Sequence, residues 1–457
     1  MKKKTMIRDL TEGRVAKQLI VFATPYMLSN LLQTFYSLVD MAVIGRFVSN
    51  VALSAVSVGG DLMHLFTFIC IGLTAVGQVM TAQHVGKKNT EALNTVIGTY
   101  ASFVLFIGLL VTVVGVIFGN TFLDWMNVPP EARRQAQQYT FICFLGMIPV
   151  YGYNVASSVL RGMGDSKTPF MFVIIATVIN LVLDVVFVAL LKMDVIGAAL
   201  ATVIGQVVCF IWAVIYLYRR KEAFGFDFKA KSFVPEKETL KQVIKLGIPM
   251  VLQSCAINIS GIVVNAFVNA YGVAAAAVTG VGNKLITIAN VVTTGMNTAG
   301  AAMIGQNYAA GKLKRVSQVM WVIFYVSLIF VVILSVLMLM YPEEIFSVFN
   351  DDPEILALAH KFKIIAVVSF ISCAARAPFI ALLNGQGFAS LCFATSMLDA
   401  IVLRIGFAIL LGNVLGMGIM GFWLSSAIAS FSYMLVGGVY YGTGLWRKRK
   451  LVIRTDT

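Results

Sequence analysis

Residues 319–340 read VMWVIFYVSLIFVVILSVLMLM, a run without aspartate, glutamate, lysine or arginine. It exceeds the roughly 20 apolar residues that an α-helix needs to cross the ~30 Å hydrocarbon core of a bilayer. Residues 195–218 form a second uncharged run of the same kind. A core helix of a soluble protein explains one such run, but it does not explain the many that follow along the chain. The repetition predicts an integral membrane protein.

The composition supports this prediction. Of 457 residues, 59% are hydrophobic and 12% are charged, about half the charged share of an average soluble domain. The mean hydropathy is +0.87. Twelve spans are predicted, at residues 17–43, 52–84, 93–119, 137–160, 168–191, 195–218, 243–269, 273–306, 317–341, 361–384, 390–412 and 417–446.

The net charge of +14 reflects membrane topology. Most of the 35 lysines and arginines fall on the side of the N-terminus, in the segments before the first span, between the sixth and seventh spans, and after the twelfth. Cytoplasmic loops carry such an excess of basic residues. We therefore expect both termini in the cytoplasm of a bacterial or archaeal cell, a multi-pass protein of the inner membrane, and no nucleic-acid partner.

The chain also contains an internal repeat. Residues 23–28 (ATPYML) resemble residues 247–252 (GIPMVL), and residues 160–164 (LRGMG) resemble residues 383–387 (LNGQG). Residues 197–200 and 421–424 match at nearly the same offset. Since each half has an even number of spans, the halves are predicted to be parallel repeats related by a pseudo-two-fold axis along the membrane normal.

This repeat sets the predicted organisation of the chain. The fold class is an all-α membrane protein, with twelve transmembrane helices in two six-helix bundles. Two bundles that face a central cleft are typical of an alternating-access transporter. The predicted parts are an N-lobe at 1–218, a basic cytoplasmic linker at 219–242, a C-lobe at 243–446 and a cytoplasmic tail at 447–457.

Polar residues recur at helical spacing within the spans, so they mark the helix faces that point away from lipid. In the first half they are Asn30, Gln33, Ser37 and Asp40 on the first span, Thr177, Asn180 and Asp184 on the fifth, and Thr202 and Gln206 on the sixth. In the second half they are Ser254, Asn258, Asn265 and Asn269 on the seventh span, and Asn283, Thr287, Asn290 and Thr294 on the eighth. Such residues also hold helices together in membrane bundles, and that interpretation stays open for the uncharged ones.

Asp40 and Asp184 predict an ion-coupling site. Neither has a basic residue within a turn of its own helix, and the first six spans contain no mid-membrane lysine or arginine. An unpaired carboxylate in this setting takes up protons readily. Two facing carboxylates together with asparagine and threonine oxygens are also ligands that suit Na⁺.

The remaining intramembrane charges predict a structural role. Asp399 and Arg404 share a span and Arg376 lies on its neighbour, so we expect an ion pair between Asp399 and a nearby arginine. Lys284 is compatible either with the cleft or with a side chain that reaches the membrane surface.

Nothing in the sequence predicts an enzyme. The chain lacks the GxxxxGK[ST] phosphate loop, the GxSxG elbow and the HExxH pair. Its six cysteines lie in apolar segments without a CxxC pair, which gives no indication of a metal or a disulfide. We expect no cofactor, and any active transport must be secondary.

These features resemble the multidrug and toxic compound extrusion (MATE) family. The resemblance rests on residues 39–46 (VDMAVIGR), 161–166 (RGMGDS) and 180–184 (NLVLD), together with the two six-span halves, and it covers roughly residues 15–445. It implies an antiporter that exports small amphipathic, often cationic compounds in exchange for H⁺ or Na⁺. We also expect the protein to act as a monomer.

The closest resemblance is to the DinF-like branch of that family. Its ion site, carried over to this sequence, comprises Asp40, Asn180, Asp184 and Thr202, with Asn154 as a neighbour. The same four residues would hold Na⁺ if that is the coupling ion. Neither span seven nor span ten carries the acidic residue that another bacterial branch uses.

Two further expectations follow. Five polar residues are predicted to line the substrate cavity: Gln33, Ser37, Asn258, Asn265 and Asn283. Pro25 is predicted to be a hinge, because proline removes a backbone hydrogen bond within the helix that carries Asp40.

One alternative function stays open at this point. A lipid-linked oligosaccharide flippase of the same superfamily needs a basic cavity for its anionic substrate, and Lys284, Arg376 and Arg404 are compatible with one.

Overall fold

The computed structural model describes residues 7–89, 91–126, 128–349 and 351–453, and all regular secondary structure in these residues is helical. The first half contains α1 (Val15–Phe47), α2 (Asn50–Gly86), α3 (Glu91–Trp125), α4 (Pro130–Leu145), α5 (Met147–Gly162), α6 (Lys167–Asp184) and α7 (Asp194–Arg219). A π-helix, Val185–Leu190, continues α6. The linker holds α8 (Lys221–Phe224) and a 3₁₀ turn, Ala230–Phe233.

The second half repeats this order. It contains α9 (Lys237–Asn269), α10 (Val273–Ala309), α11 (Leu313–Met340), α12 (Pro342–Ser347), α13 (Pro353–Gly385), α14 (Ala389–Met397), α15 (Ile419–Ala429) and α16 (Ser432–Gly442). Two π-helices, Leu398–Gly406 and Ala408–Val414, continue α14. A 3₁₀ turn, Leu445–Lys448, follows α16.

These helices account for the predicted spans. Ten stretches of the described residues are long and apolar enough to cross a membrane, and the bent pair α4 and α5 forms an eleventh. Helix α1 has 33 residues and lies at the position of the first predicted span. The order and spacing agree with the twelve predicted spans.

The predicted fourth span, however, is not one straight helix. Helices α4 and α5 meet at Gly146 with a bend of 45°. Pro149 follows three residues later and lacks the N–H group that would continue the hydrogen-bond ladder across the break. The twelfth span is also divided, between α15 and α16.

The duplication extends to details of the backbone. Beyond the end of α6, Leu191 N donates to Val186 O at 2.8 Å, the wide spacing of a π-helix. In the second half, Leu415 N donates to Leu410 O at 2.8 Å, which is the equivalent bond one repeat later. The same unusual turn therefore ends corresponding spans in both halves.

The residues after these turns also correspond. Gly416 and Gly418 have φ values of 66° and 57°, and the equivalent residues Lys192 and Asp194 have φ values of 51° and 56°. A side chain is unfavourable in this left-handed region. Gln135 Nε2 donates to Asp194 Oδ2 at 2.6 Å, which helps to hold the unfavourable conformation in the first half.

The chain packs into two compact units that do not follow the repeat exactly. The first unit contains residues up to 9 and residues 28–247, and the second contains residues 10–27 and the chain from 248 onward. Helices α1 and α9 are thus each divided, shortly after Pro25 and just before Pro249. The predicted lobes at 1–218 and 243–446 stay a prediction, and the units differ from them at these two helices and in the linker.

The start of α1 belongs to the core of the second unit. Leu19 and Phe22 are almost completely buried in a cluster with Met303 and Ile323. The segment before α1 is held by polar contacts as well. Leu10 N donates to Gln306 Oε1 at 3.0 Å, and its carbonyl accepts from the Asn307 amide at 3.1 Å.

The linker is equally well packed within the first unit. Asp227 N donates to Asn94 Oδ1 at 3.0 Å, and Glu236 N donates to Thr99 Oγ1 at 3.0 Å. Phe226 is buried at 2% exposure. The predicted basic linker is therefore an ordered part of the first unit.

Close packing inside the first unit depends on Gly77 of α2. A Cβ atom at this position would lie 2.4 Å from the ring of Tyr100 and 2.7 Å from Ser158 Oγ. The Tyr100 ring is fixed, because its buried hydroxyl donates to Leu73 O at 3.0 Å. Gly77→Ala is expected to lower stability by about 1–3 kcal/mol, as overpacking of a core does. Thermal unfolding of the purified protein in detergent tests this expectation.

Gly60→Ala is the matched control on the same helix, since nothing lies within 4 Å of its added Cβ. Alanine is the better helix former by about 1 kcal/mol, so this variant should unfold no earlier than the parent. Equal unfolding temperatures for both variants would contradict the packing described for Gly77.

Candidate functional site

Two carboxylates are buried in the first unit. Asp40 of α1 is 7% exposed, and Asp184, the last residue of α6, is fully buried. The two side chains are close enough for their charges to interact. The Oδ1 atom of each has no hydrogen-bond partner among the described residues. No lysine or arginine of the described residues forms an ion pair with either carboxylate.

Asn180 connects Asp184 to α7. In the amide orientation that satisfies both of its ends, Asn180 Nδ2 donates to Asp184 Oδ2 at 3.1 Å. Its Oδ1 then accepts from the Thr202 backbone N–H at 3.3 Å. Gly205 permits this contact, because a Cβ at this position would lie 3.3 Å from the Asn180 Cβ. The structure therefore brings three of the predicted ion-site residues together.

Two tyrosines of this cluster are absent from the sequence predictions. Tyr36 lies near Asp40, Asp184 and Thr202, and the buried Tyr139 of α4 lies near Asp40 and Tyr36. Tyr36 stands one helical turn before Asp40, so the helical spacing of the polar residues on the first span already indicated its position. Tyr139 is distant in sequence from the other members, and helical spacing gives no indication of its position.

A narrow cleft lies beside the cluster. It is lined by Gln33, Tyr36, Tyr153, Val173, Ala176, Thr177, Asn180, Thr202, Gly205, Gln206 and Cys209. Gln33, predicted to line the substrate cavity, therefore lies next to the predicted ion site. Of the predicted polar residues of α6 and α7, four line the same cleft: Thr177, Asn180, Thr202 and Gln206.

The other predicted site residues are not among the described residues that line this cleft. The Asn154 amide donates to Val150 O at 2.8 Å on its own helix, and no hydrogen bond in the described part of the chain joins it to the carboxylates. The Ser37 side chain lies outside the described residues. In the second unit, Asn265 and Asn283 are exposed, and the half-buried Asn258 donates to Ser254 O at 2.7 Å.

The chemistry of the cluster follows from its unbonded oxygens. A buried carboxylate oxygen without a donor is unfavourable unless it gains a proton or a cation. Asp40 and Asp184 offer hard oxygen donors, which suit either H⁺ or Na⁺. Asn180 directs its N–H group to Asp184 in the orientation described above. The described residues contain no group of three or more His, Cys, Asp or Glu side chains that suits a bound metal ion.

The buried carboxylate of the second unit, in contrast, is paired with an arginine. Asp399, 1% exposed, accepts from Arg404 Nη2 at 2.8 Å and from Ser432 Oγ at 3.1 Å. The predicted structural ion pair is therefore present, and its arginine is Arg404. Arg376 takes no part in it and donates instead to Asn290 Oδ1 at 2.8 Å.

Comparison with known proteins identifies the family. The MatE family model matches residues 25–186 and again residues 249–410, so each half of the duplicated chain matches it once. The chain belongs to the MatE family. Members of this family are transporters, which confirms the expectation that the protein is not an enzyme.

Individual relatives extend the match over the whole MatE chain. The probable multidrug resistance protein YoeA of Bacillus subtilis is 29% identical over 443 residues, 96% of this chain and 95% of YoeA. The multidrug export protein MepA of Staphylococcus haemolyticus is 26% identical over 382 residues, 82% of this chain and 80% of MepA.

A solved structure confirms the fold of this MatE protein. A crystal structure of MATE in complex with MaL6 superposes with a TM-score of 0.88 at 19% identity. The alignment covers 98% of this chain and 100% of the other. The predicted all-α membrane fold with twelve helices in two bundles is thereby confirmed.

The ion pair in the second unit generates a stability prediction. Asp399→Asn leaves Arg404 largely buried without its counter-charge, a loss expected to cost about 3–5 kcal/mol. The variant should show a lower yield and a lower unfolding temperature. A double variant, Asp399→Leu with Arg404→Met, should recover much of that loss because it removes both charges.

Asp124→Asn serves as the control, since it removes the carboxylate of the exposed pair formed with Arg133 at 2.7 Å. An exposed pair contributes about 0–1 kcal/mol, so this variant should unfold close to the parent. If Asp399→Asn were no less stable than this control, the structural role of the buried pair would be excluded.

Proposed function

We propose that this MatE protein is a secondary antiporter that exports amphipathic, often cationic compounds in exchange for H⁺ or Na⁺. The observation that carries the proposal is the pair of buried carboxylates, Asp40 and Asp184. Among the described residues, each has an unbonded oxygen and neither has a basic partner. The names of YoeA and MepA, a probable multidrug resistance protein and a multidrug export protein, support the export of drugs.

The energetics of the bilayer favour ion exchange at this site. An ionised side chain in mid-membrane costs roughly 2.5–3.5 kcal/mol on insertion scales. This cost falls when the carboxylate gains a proton or a cation, and it returns when the ion is released. A site of this kind can therefore take up an ion from one side of the membrane and release it to the other. The position of the two acids in the first half also favours the DinF-like branch. We further propose that the protein acts as a monomer, because all residues of the proposed site belong to one chain.

Pro25 supports a hinge within α1. Residues before Leu28 pack in the second unit, whereas Asp40 lies in the first unit. A proline weakens the helix at the point where its packing partners change. We therefore propose that a change in the charge of Asp40 alters how α1 bends.

The flippase alternative is less well supported. Its anionic substrate needs a basic cavity, whereas the described cluster beside the cleft is acidic. Antiport is the function that this cluster favours.

The carboxylates can be tested directly. Asp40→Asn and Asp184→Asn are each expected to reduce gradient-driven export to background in proteoliposomes, while the protein stays folded. The measurement is the export of a fluorescent cation under an imposed pH gradient and, separately, under an imposed Na⁺ gradient. The gradient that drives the parent protein identifies the coupling ion.

Asp61→Asn provides the matched control, because it removes an exposed carboxylate from α2. It should export at the rate of the parent. Full export by both Asp40→Asn and Asp184→Asn, or equal loss in Asp61→Asn, would contradict the assignment of the site.

The proposed orientation is tested separately. We propose an inner-membrane protein with both termini cytoplasmic, since basic residues are concentrated on that side. Single cysteines at Asn89 and Gly225 should react with a membrane-impermeant thiol reagent only after the cytoplasmic face is opened. A cysteine at Asp351 should react in intact cells. Reaction of the Gly225 cysteine in intact cells would overturn this topology.

A further inference from the structure

A groove lies between α3 and α4 on the surface of the first unit. The residues that line it include Val116, Gly119 and Asn120 of α3, and Gln138 and Phe141 of α4. A Cβ atom at Gly119 would lie 3.7 Å from the nearest atom of the Phe144 ring, so the glycine leaves open space beside that ring. Val116 and Phe141 are exposed, and the groove is therefore open to the surroundings of the protein.

Both walls of the groove are polar at one end and apolar beyond it. Side chains at helical spacing form one face of each helix. The order is Asn120, Val116, Val113 and Leu109 on α3, and Arg134, Gln138, Phe141 and Leu145 on α4. Gln137 Nε2 donates to Asn120 Oδ1, so the polar ends of the two walls lie at the same level.

The polar end of the groove lies near the membrane surface. Asn120 is five residues before Trp125, the last residue of α3, a distance of about 8 Å along a helix. Trp125 is exposed, and tryptophan is enriched at the level of the lipid headgroups. The groove therefore runs from the headgroups into the hydrocarbon of one leaflet, which is the outer leaflet in the proposed orientation.

Two polar side chains on the α4 wall lack a partner within the described part of the chain. Arg134 is exposed and forms no ion pair there, and Gln138, one helical turn further along, forms no hydrogen bond there. The neighbouring acid, Asp124, is paired with Arg133 at 2.7 Å. A polar group at the edge of the hydrocarbon is unfavourable without an acceptor. Arg134 and Gln138 thus favour a ligand that brings acceptors of its own.

A phospholipid carries its chemical groups in the order that the groove requires. Its phosphate is followed by ester carbonyls and then by acyl chains. Arginine binds phosphate through parallel hydrogen bonds, and the Gln138 amide is a donor for an ester carbonyl. Val116 and Phe141 offer apolar surface to an acyl chain. A second copy of this chain fits less well, because the acid at this level of its own surface, Asp124, is already paired.

We propose that the groove between α3 and α4 binds one phospholipid molecule, with its phosphate on Arg134 and an ester carbonyl on Gln138. The site shares no residue with the cluster of Asp40 and Asp184 and does not rest on the proposed antiport.

Two lipids with the same acyl chains test the proposal. Dioleoyl phosphatidylglycerol carries the phosphate, and dioleoylglycerol lacks it. Binding of each lipid to the purified full chain in detergent is measured by native mass spectrometry. The parent is expected to bind one phosphatidylglycerol about tenfold more tightly than dioleoylglycerol, because only the former makes charge-assisted hydrogen bonds.

Arg134→Gln is expected to lower the affinity for phosphatidylglycerol about tenfold and to leave that for dioleoylglycerol unchanged. Lys192→Gln is the matched control, since it removes an exposed basic residue that does not line the groove. It should change neither affinity. An equal loss in Lys192→Gln, or equal affinities of the parent for the two lipids, would overturn the phosphate contact.

The apolar part of the groove is tested by a second pair of variants. Val116→Trp fills the groove and should weaken the binding of both lipids. Ile117→Trp, at an exposed neighbour that does not line the groove, should weaken neither. If Arg134→Gln does not fold, this pair decides the question. Equal binding by both tryptophan variants would exclude the groove as the site.

The same spectra separate the lipid from a second copy of the chain. A dimer of the parent that Val116→Trp dissociates, without bound lipid, would overturn the proposal and identify the groove as an interface between copies. Because no ion gradient is applied, failure of export would leave the lipid site standing, and loss of the lipid site would leave the antiport standing.

Discussion

The cost of an ionised side chain in hydrocarbon governs the polar architecture of this protein. Asp399 meets the constraint with Arg404, whose guanidinium lies 2.8 Å away, and the result is a neutral structural pair. Within the described part of the chain, Asp40 and Asp184 have no such partner and keep an unbonded oxygen each. The constraint therefore separates a carboxylate that is neutralised within the fold from two that the described residues leave without a counter-charge.

The internal duplication explains how the same backbone pattern carries both a paired and an unpaired buried carboxylate. The π-helix Val185–Leu190 and its counterpart Ala408–Val414 end corresponding spans with the same hydrogen-bond pattern. The side chains around these turns have diverged in charge, from Asn180 in the first half to Arg404 in the second. The repeated backbone thus carries different charges in its two halves.

The sequence predicted the fold well because span length and the absence of charge depend on local composition. It also predicted that Asn180 and Asp184 lie near Thr202, since helical spacing and the family resemblance point to the same residues. It did not predict Tyr139, nor which arginine pairs with Asp399. Both depend on how distant helices pack, and spacing along one helix carries no information about that. The break at Gly146 was missed for a similar reason, because a bent span and a straight one have the same hydropathy.

The division of α1 between the two units was also not predictable from span patterns. The basic side chain of Arg315 donates to Gly13 O at 2.8 Å, so the segment that precedes α1 is fixed to the second unit. The far end of the same helix carries Asp40 into the first unit. An ion that binds Asp40 can shift the shape of α1 only by the difference in its affinity for two arrangements of the helix. Pro25 lies between the anchored end of α1 and Asp40, at a position where proline removes a backbone hydrogen bond from the helix.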